Sequence, residues 1–264
     1  MLQPRQIALL VALALMWGVN WPMMKYSLRE LSPLYFRAIT MSGGALSLYA
    51  YYRWGRGVDM RWPRAEWGRV AALAAPNILG WHLCSIMGLQ ALASGRAVIL
   101  GFTMPVWTVL ITLLLSHERP SGRVLLSAAA ALAAVLLLSW QELAHLAGQP
   151  LGVLWMQAAA LCWAAGTVMM RRTASPMPTE AVTVWMMALG AVFFWVLAPL
   201  LEAPPQPALW SAGLWWSLLY GVVLNYGVAQ VIWFGMARTL PPAASAFSIM
   251  PVPLVGTAAA TAIV

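Results

Sequence analysis

Charges in this chain collect in short connections, and the segments between them are apolar for about the thickness of a bilayer. The windows are 6–27, 33–52, 68–91, 94–116, 122–140, 151–171, 179–201, 211–237 and 241–264. About 20 apolar residues carry a helix across the hydrocarbon core, so each window reads as a candidate span. The connections are marked by breakers such as Leu31-Ser32-Pro33, Ala203-Pro204-Pro205 and Leu240-Pro241-Pro242. Hydrophobic residues make up 62% of the 264 residues and charged residues 8%, against about 25% charged in a soluble domain. That balance identifies an integral membrane protein. The net charge of +8 does not point to nucleic acid, because the basic residues lie between the apolar runs. The first window resembles a signal peptide, but no small-residue cleavage site follows it, so it is expected to stay as a first helix.

Four short features occur twice at one spacing. Met104-Pro105-Val106 returns as Met250-Pro251-Val252, Trp17 as Trp163, Met23-Met24-Lys25 as Met169-Met170-Arg171, and Gly44 as Gly190, each 146 residues on. A shared offset across separate apolar windows indicates a tandem duplication, and internal repeats in such chains are a mark of transporters. The units are 1–146 (spans one to five) and 147–264 (spans six to nine). Unit one continues past Pro105 through a fifth span. Its counterpart would lie beyond Val264, so ten transmembrane helices are expected, nine of them visible and the chain ending in the ninth.

The bases orient the spans. Connections on the N-terminal side hold Arg5, Arg53, Arg56, Arg61, Arg64, Arg69, Arg119, Arg123, Arg171, Arg172 and Arg238; the opposite side holds only Lys25, Arg29 and Arg96. Basic residues favour the cytoplasmic side, so the N-terminus is expected there. Five spans per unit is an odd number, which makes the second unit enter from the other side as an inverted repeat. Arg37 falls inside span two, one turn from its outer end. It reads as a snorkelling base, as an attractor for a substrate carboxylate, or as an interhelix hydrogen-bond donor.

None of the seven acids (Glu30, Asp59, Glu66, Glu118, Glu142, Glu180, Glu202) lies mid-span. Proton-driven pumps commonly carry an intramembrane carboxylate, so facilitated transport, or coupling through His82, is favoured, and organic cations are poor candidate substrates. The spans instead hold polar and aromatic residues at helical spacing. Candidate substrate-binding residues are Trp17 and Asn20 in span one, Asn77 and His82 in span three, and Trp163 in span six. Tyr226 and Gln230 in span eight and Ser245 and Ser248 in span nine complete them. Each has a structural alternative: hydroxyls satisfy nearby carbonyls in membrane helices, and Trp often lies at the headgroup belt. Pro105 and Pro251 should kink spans four and nine at equivalent points, as hinges or cavity-lining breaks, or as packing kinks. Cys84 and Cys162 have no partners at metal-ligand spacing and read as small buried thiols.

Leu15-Met16-Trp17-Gly18-Val19-Asn20-Trp21, the Pro33 and Arg37 pair, Gly88 to Leu92, Met104-Pro105-Val106 and Glu118-Arg119 together resemble the EamA family of the drug/metabolite transporter superfamily. Leu161-Cys162-Trp163-Ala164-Ala165, Arg171-Arg172 and Met250-Pro251-Val252 resemble that family's second unit. The resemblance covers the whole chain. It implies an all-α membrane fold of two inverted five-helix EamA repeats, a central cavity and alternating access. It further implies export from the bacterial cytoplasm across the inner membrane, nearest in kind to the aromatic and broad-range amino-acid exporters. Other small metabolites, such as nucleosides or drugs, are the alternative cargo. The family's acid after the second Met-Pro-Val motif lies beyond Val264. No nucleophile–base pair or paired-carboxylate motif lies within the spans, so an enzyme is not expected. Nor is a cofactor, a metal or a nucleic-acid partner. The expected partners are amino acids and the lipid bilayer, with a functional monomer.

Overall fold

The computed structural model describes residues 3–115, 150–233 and 251–263, with four isolated positions between 115 and 150. Eight helices make up this part of the chain: α1 (Pro4–Ser27), α2 (Pro33–Ala50), α3 (Arg64–Ala91), α4 (Ser94–Leu115), α5 (Pro150–Arg172), α6 (Thr179–Leu201), α7 (Ala212–Leu219, extended by Tyr220–Val228) and α8 (Pro251–Ile263). Five of them are long and apolar enough to cross a membrane: Pro4–Ser27, Arg64–Ala91, Ser94–Leu115, Pro150–Met170 and Thr179–Leu201. The expected span at 122–140, and Ser245 and Ser248, lie outside the described residues. The first window is a packed helix whose Leu13 and Ala14 are buried.

Helix ends follow the local chemistry. Pro33 opens α2, where a missing N–H costs nothing. The Glu202 carboxylate, just past α6, accepts from the Leu34 amide (3.0 Å) and the Tyr35 amide (3.2 Å). Acidic side chains suit that positive helix end. Lys25 Nζ donates to the Leu89 and Gln90 carbonyls at 2.8 and 2.9 Å, closing the opposite end of α3.

Helix contacts recur under the 146-residue offset. The first helix of each unit packs on the fourth of the other, α1 on α8 and α5 on α4. The third helix of each packs on the other's first and second: α3 on α5 and α6, α7 on α1 and α2. At the centre α2 lies on α6. There a Cβ on Gly190 would meet Met41 Sδ, and a Cβ on Gly44 would sit 3.1 Å from Met187 Cε. Met41 and Met187 are themselves 146 apart, so the two glycines and two methionines interlock reciprocally.

The polar ends recur as well, with the acid and the hydroxyl exchanged. Glu30, in the α1–α2 link, accepts from Ser211 Oγ (2.6 Å) and Ser211 N (2.8 Å) at the start of α7. Glu66, at the start of α3, accepts from Ser175 Oγ (3.0 Å) in the α5–α6 link and pairs with Arg69 at 2.6 Å. The Ser211 hydroxyl, then its amide, hold the Glu30 carboxyl below the usual carboxylate range.

Span three is not one regular α-helix, as its apolar window suggests. Ala75–Gly80 is a π-helical segment, where Pro76 removes a backbone donor. A second π segment, Tyr220–Val228, overlaps its position in the other unit, and a third, Tyr51–Gly55, ends the α2 rod. Helix α4 also breaks, at Phe102-Thr103, directly before the Met104-Pro105 pair. Pro105 thus stands in the first turn of the segment that follows this break, Pro251 is the first described residue of α8, and both are exposed.

Gly44→Val should lower the unfolding temperature in detergent by the equivalent of about 1–3 kcal/mol, the usual cost of overpacking. Gly68→Ala, where nothing lies within 4 Å of an added Cβ, should leave it unchanged or slightly raised. A depressed carboxyl pKa stabilises the fold above the ordinary carboxylate value and loses that contribution as pH falls through the folded value. Glu30→Gln should therefore weaken the protein at pH 7, and wild type should converge on the variant in acid; thermal scans across pH read this directly.

Candidate functional site

Close approach of α2 to α7 sets up the polar centre. Ideal Cβ atoms on Gly43 and Gly44 would fall against Val222 at 2.6 Å and Tyr226 Cβ at 2.5 Å, so glycine is what lets the π segment of α7 lie on α2. Tyr226 thereby reaches Arg37, one helical turn into α2.

Arg37 is 3% exposed. Its Nη1 donates to Tyr226 Oη at 3.3 Å and its Nη2 to Ser85 Oγ at 3.0 Å. The Tyr226 hydroxyl is in turn 3.3 Å from His82 Nδ1, with the two rings tilted at 5.7 Å. Arg37 Nε is buried and has no partner. The snorkelling alternative is corrected: this base turns inward and joins α2, α3 and α7, because hydroxyls within the bundle lie within its reach.

Aromatic side chains extend the centre across the boundary between the units. Trp17 of α1 meets Trp233, two turns past Tyr226 in the α7 rod, with ring centres 5.5 Å apart. Trp163 of α5 meets Trp81 of α3 at 5.0 Å. Each repeated Trp therefore rests on a Trp from the third helix of the other unit. Trp21 joins the second pair, edge-on to Trp81 at 6.4 Å and to Phe102 at 6.5 Å. It is 5% exposed and belongs to the interior, not to a headgroup belt.

The other candidates are placed less centrally. Asn20 is buried in α1. Asn77 turns back on its own helix, donating to the Leu73 carbonyl at 2.9 Å, and presses on Gly166 of α5. Gln230 is partly exposed one turn from Tyr226. His82 and Tyr226 come together; Trp17 and Trp163 flank them in separate pairs. Cys84 of α3 and Cys162 of α5 are free thiols and half-buried.

Sequence reasoning left Gln157 out. Its Oε1 accepts from Trp107 Nε1 at 3.0 Å and from Thr103 Oγ1 at 3.2 Å, tying α5 to the break in α4. An intramembrane amide seven residues past a helix start was the available signal. Among the described residues no group of three His, Cys, Asp or Glu side chains is arranged to hold a metal. The described carboxylates Glu30, Asp59, Glu66, Glu180 and Glu202 lie in links, in a helix's first turn or just past a helix end.

A bundle of apolar helices with two related halves and an aromatic–polar seam between them defines a multi-pass membrane protein. The EamA-like transporter family model matches residues 5–140 and again 150–264, and the chain belongs to that family. It is similar to the Bacillus subtilis (strain 168) protein described as "Uncharacterized transporter YoaV", 24% identical over 93% of this chain and 84% of that one. "Uncharacterized transporter YvbV" of the same organism is 28% identical over 87% of this chain and 74% of its own length. A solved crystal structure shares the fold with TM-score 0.55 at 20% identity, over 96% of this chain and 97% of that one.

Tyr226→Phe should cost about 1–3 kcal/mol, since it removes the hydroxyl that Arg37 and His82 share and leaves buried groups short of a partner. Tyr220→Phe, which breaks one 2.7 Å bond to the Met16 carbonyl, should cost less. Parallel unfolding curves of the two variants check the order.

Proposed function

We propose that this protein exports amino acids, apolar, aromatic or over a broad range, from the bacterial cytoplasm by alternating access. The single observation that carries the reading is the crossed pairing of Trp17 with Trp233 and Trp163 with Trp81. Each pair joins one unit to the other, so relative motion of the units would open and close an aromatic passage. Its faces suit an apolar side chain by dispersion, and the neighbouring hydroxyl, imidazole and amide suit the polar end.

The two units, 1–146 with spans one to five and the inverted 147–264 with spans six to nine, would then rock about the α2–α6 contact, with Pro105 and Pro251 as hinges. The basic connections argue for an N-terminus in the cytoplasm and residence in the inner membrane. Transport is facilitated, or at least not coupled through a carboxylate, because every described acid stands at a helix end or in a link. The working unit is the monomer, since both tryptophan pairs and the Arg37 cluster form within one chain, and no chemical conversion of the cargo is involved. Other small metabolites, nucleosides or drugs among them, are the second reading; the same hydroxyl and imidazole groups favour it.

Reconstituted in liposomes, the protein should exchange radiolabelled amino acids down their gradient without an imposed pH step. Trp17→Ala and Trp163→Ala should each lower the rate several-fold while the amount of folded protein is kept. Counterflow of a nucleoside with none for any amino acid would sink the amino-acid reading, and loss of folded protein in step with rate would reduce the two tryptophans to packing.

A further inference from the structure

The geometry points to Arg37 as the anchor for an anionic group on the transported solute, a carboxylate in the first instance. This deepens the proposed function and rests on it for the identity of the solute, not for the site. Arg37 is a permanent cation almost wholly buried, yet the partners its guanidinium has are neutral hydroxyls, Tyr226 and Ser85. Nε has no partner at all. Arg61 pairs with Asp59 and Arg69 with Glu66, but among the described residues no acid is bonded to Arg37. Burying a charge is costly unless it is paired.

Guanidinium presents a planar fork that matches a carboxylate in a bidentate way. The free Nε–H and an Nη hydrogen form one edge of that fork. Tyr226 and Ser85 come from α7 and α3, helices of different units, and Tyr226 lies on a π segment, a feature frequent at functional sites. A carboxylate entering between them would exchange a hydroxyl bond for a charge-assisted one. The face of α7 that carries Tyr226 continues to Gln230 and Trp233 at helical spacing. Along it an apolar body would lie toward the Trp17–Trp233 pair while the anion stays at Arg37. The anchor selects for a carboxylate and against a lone amine.

The test uses the full chain in liposomes, with counterflow of L-phenylalanine competed by hydrocinnamate, which keeps the carboxylate and lacks the amine, and by phenethylamine, which does the reverse. Hydrocinnamate should compete and phenethylamine should not; the opposite order in wild type overturns the anchor. Arg37→Gln should raise the half-saturating phenylalanine concentration at least tenfold and abolish competition by hydrocinnamate, with Arg37→Lys in between. Hydrocinnamate should also raise the unfolding temperature of wild type and not of Arg37→Gln. Should Arg37→Gln prove unstable, the wild-type competition order and the Arg37→Lys shift still decide. Unchanged saturation and competition in a folded Arg37→Gln protein overturn the anchor and leave the amino-acid reading standing. Stabilisation of wild type but not Arg37→Gln by hydrocinnamate, with no amino acid transported, keeps the anchor and sinks that reading.

Discussion

Gly44 and Gly190 allow α2 and α6 to come so close that each receives the other's methionine, Met187 and Met41. Between membrane helices, apolar burial supplies little net drive, because lipid tails are as apolar as leucine; close packing of small residues supplies it instead. From this contact the rest of the centre is set. Gly43 and Gly44 also admit the π segment of α7, and only then does the Tyr226 hydroxyl reach Arg37. Larger residues there would part the helices and leave the buried guanidinium with Ser85 alone.

The duplication extends beyond sequence identity. At the two ends of the bundle the same pairs of elements meet through a carboxylate and a serine hydroxyl, but Glu30 sits in a link and Glu66 on a helix start, with Ser211 and Ser175 in the complementary places. The contact is retained while its chemistry is exchanged. The repeated tryptophans behave likewise: each finds a ring on the third helix of the other unit, although Trp233 and Trp81 are not themselves 146 residues apart. Recurrence at the level of helix neighbours is thus looser in residue identity than the Met-Pro-Val copies suggest.

Legibility from sequence differed by kind of feature. Apolar windows at 6–27, 94–116, 151–171 and 179–201 correspond closely to α1, α4, α5 and α6, since backbone in lipid must satisfy itself and a helix is the local way to do so. Window 68–91 gave the length of α3 but not its π segment, whose hydrogen-bond shift depends on Pro76 in context. His82 and Tyr226 were legible as polar and aromatic residues at helical spacing in apolar runs, and they meet. Asn77, chosen on the same grounds, satisfies a carbonyl of its own helix, because an amide in a helix can bond backward as readily as outward.

What the sequence by itself determined is the membrane class, the helical windows, the duplication and the family, all of which follow from hydropathy, charge placement and motifs read along one chain. Only the tertiary structure decided the fate of Arg37. Fifteen uncharged residues beyond it left a base that could face headgroups, a substrate or another helix. Its choice was made by Ser85 and Tyr226, 48 and 189 residues away, and by the glycines that bring α7 near. A side chain's partner across helices depends on which faces meet, and that is a property of the packed bundle.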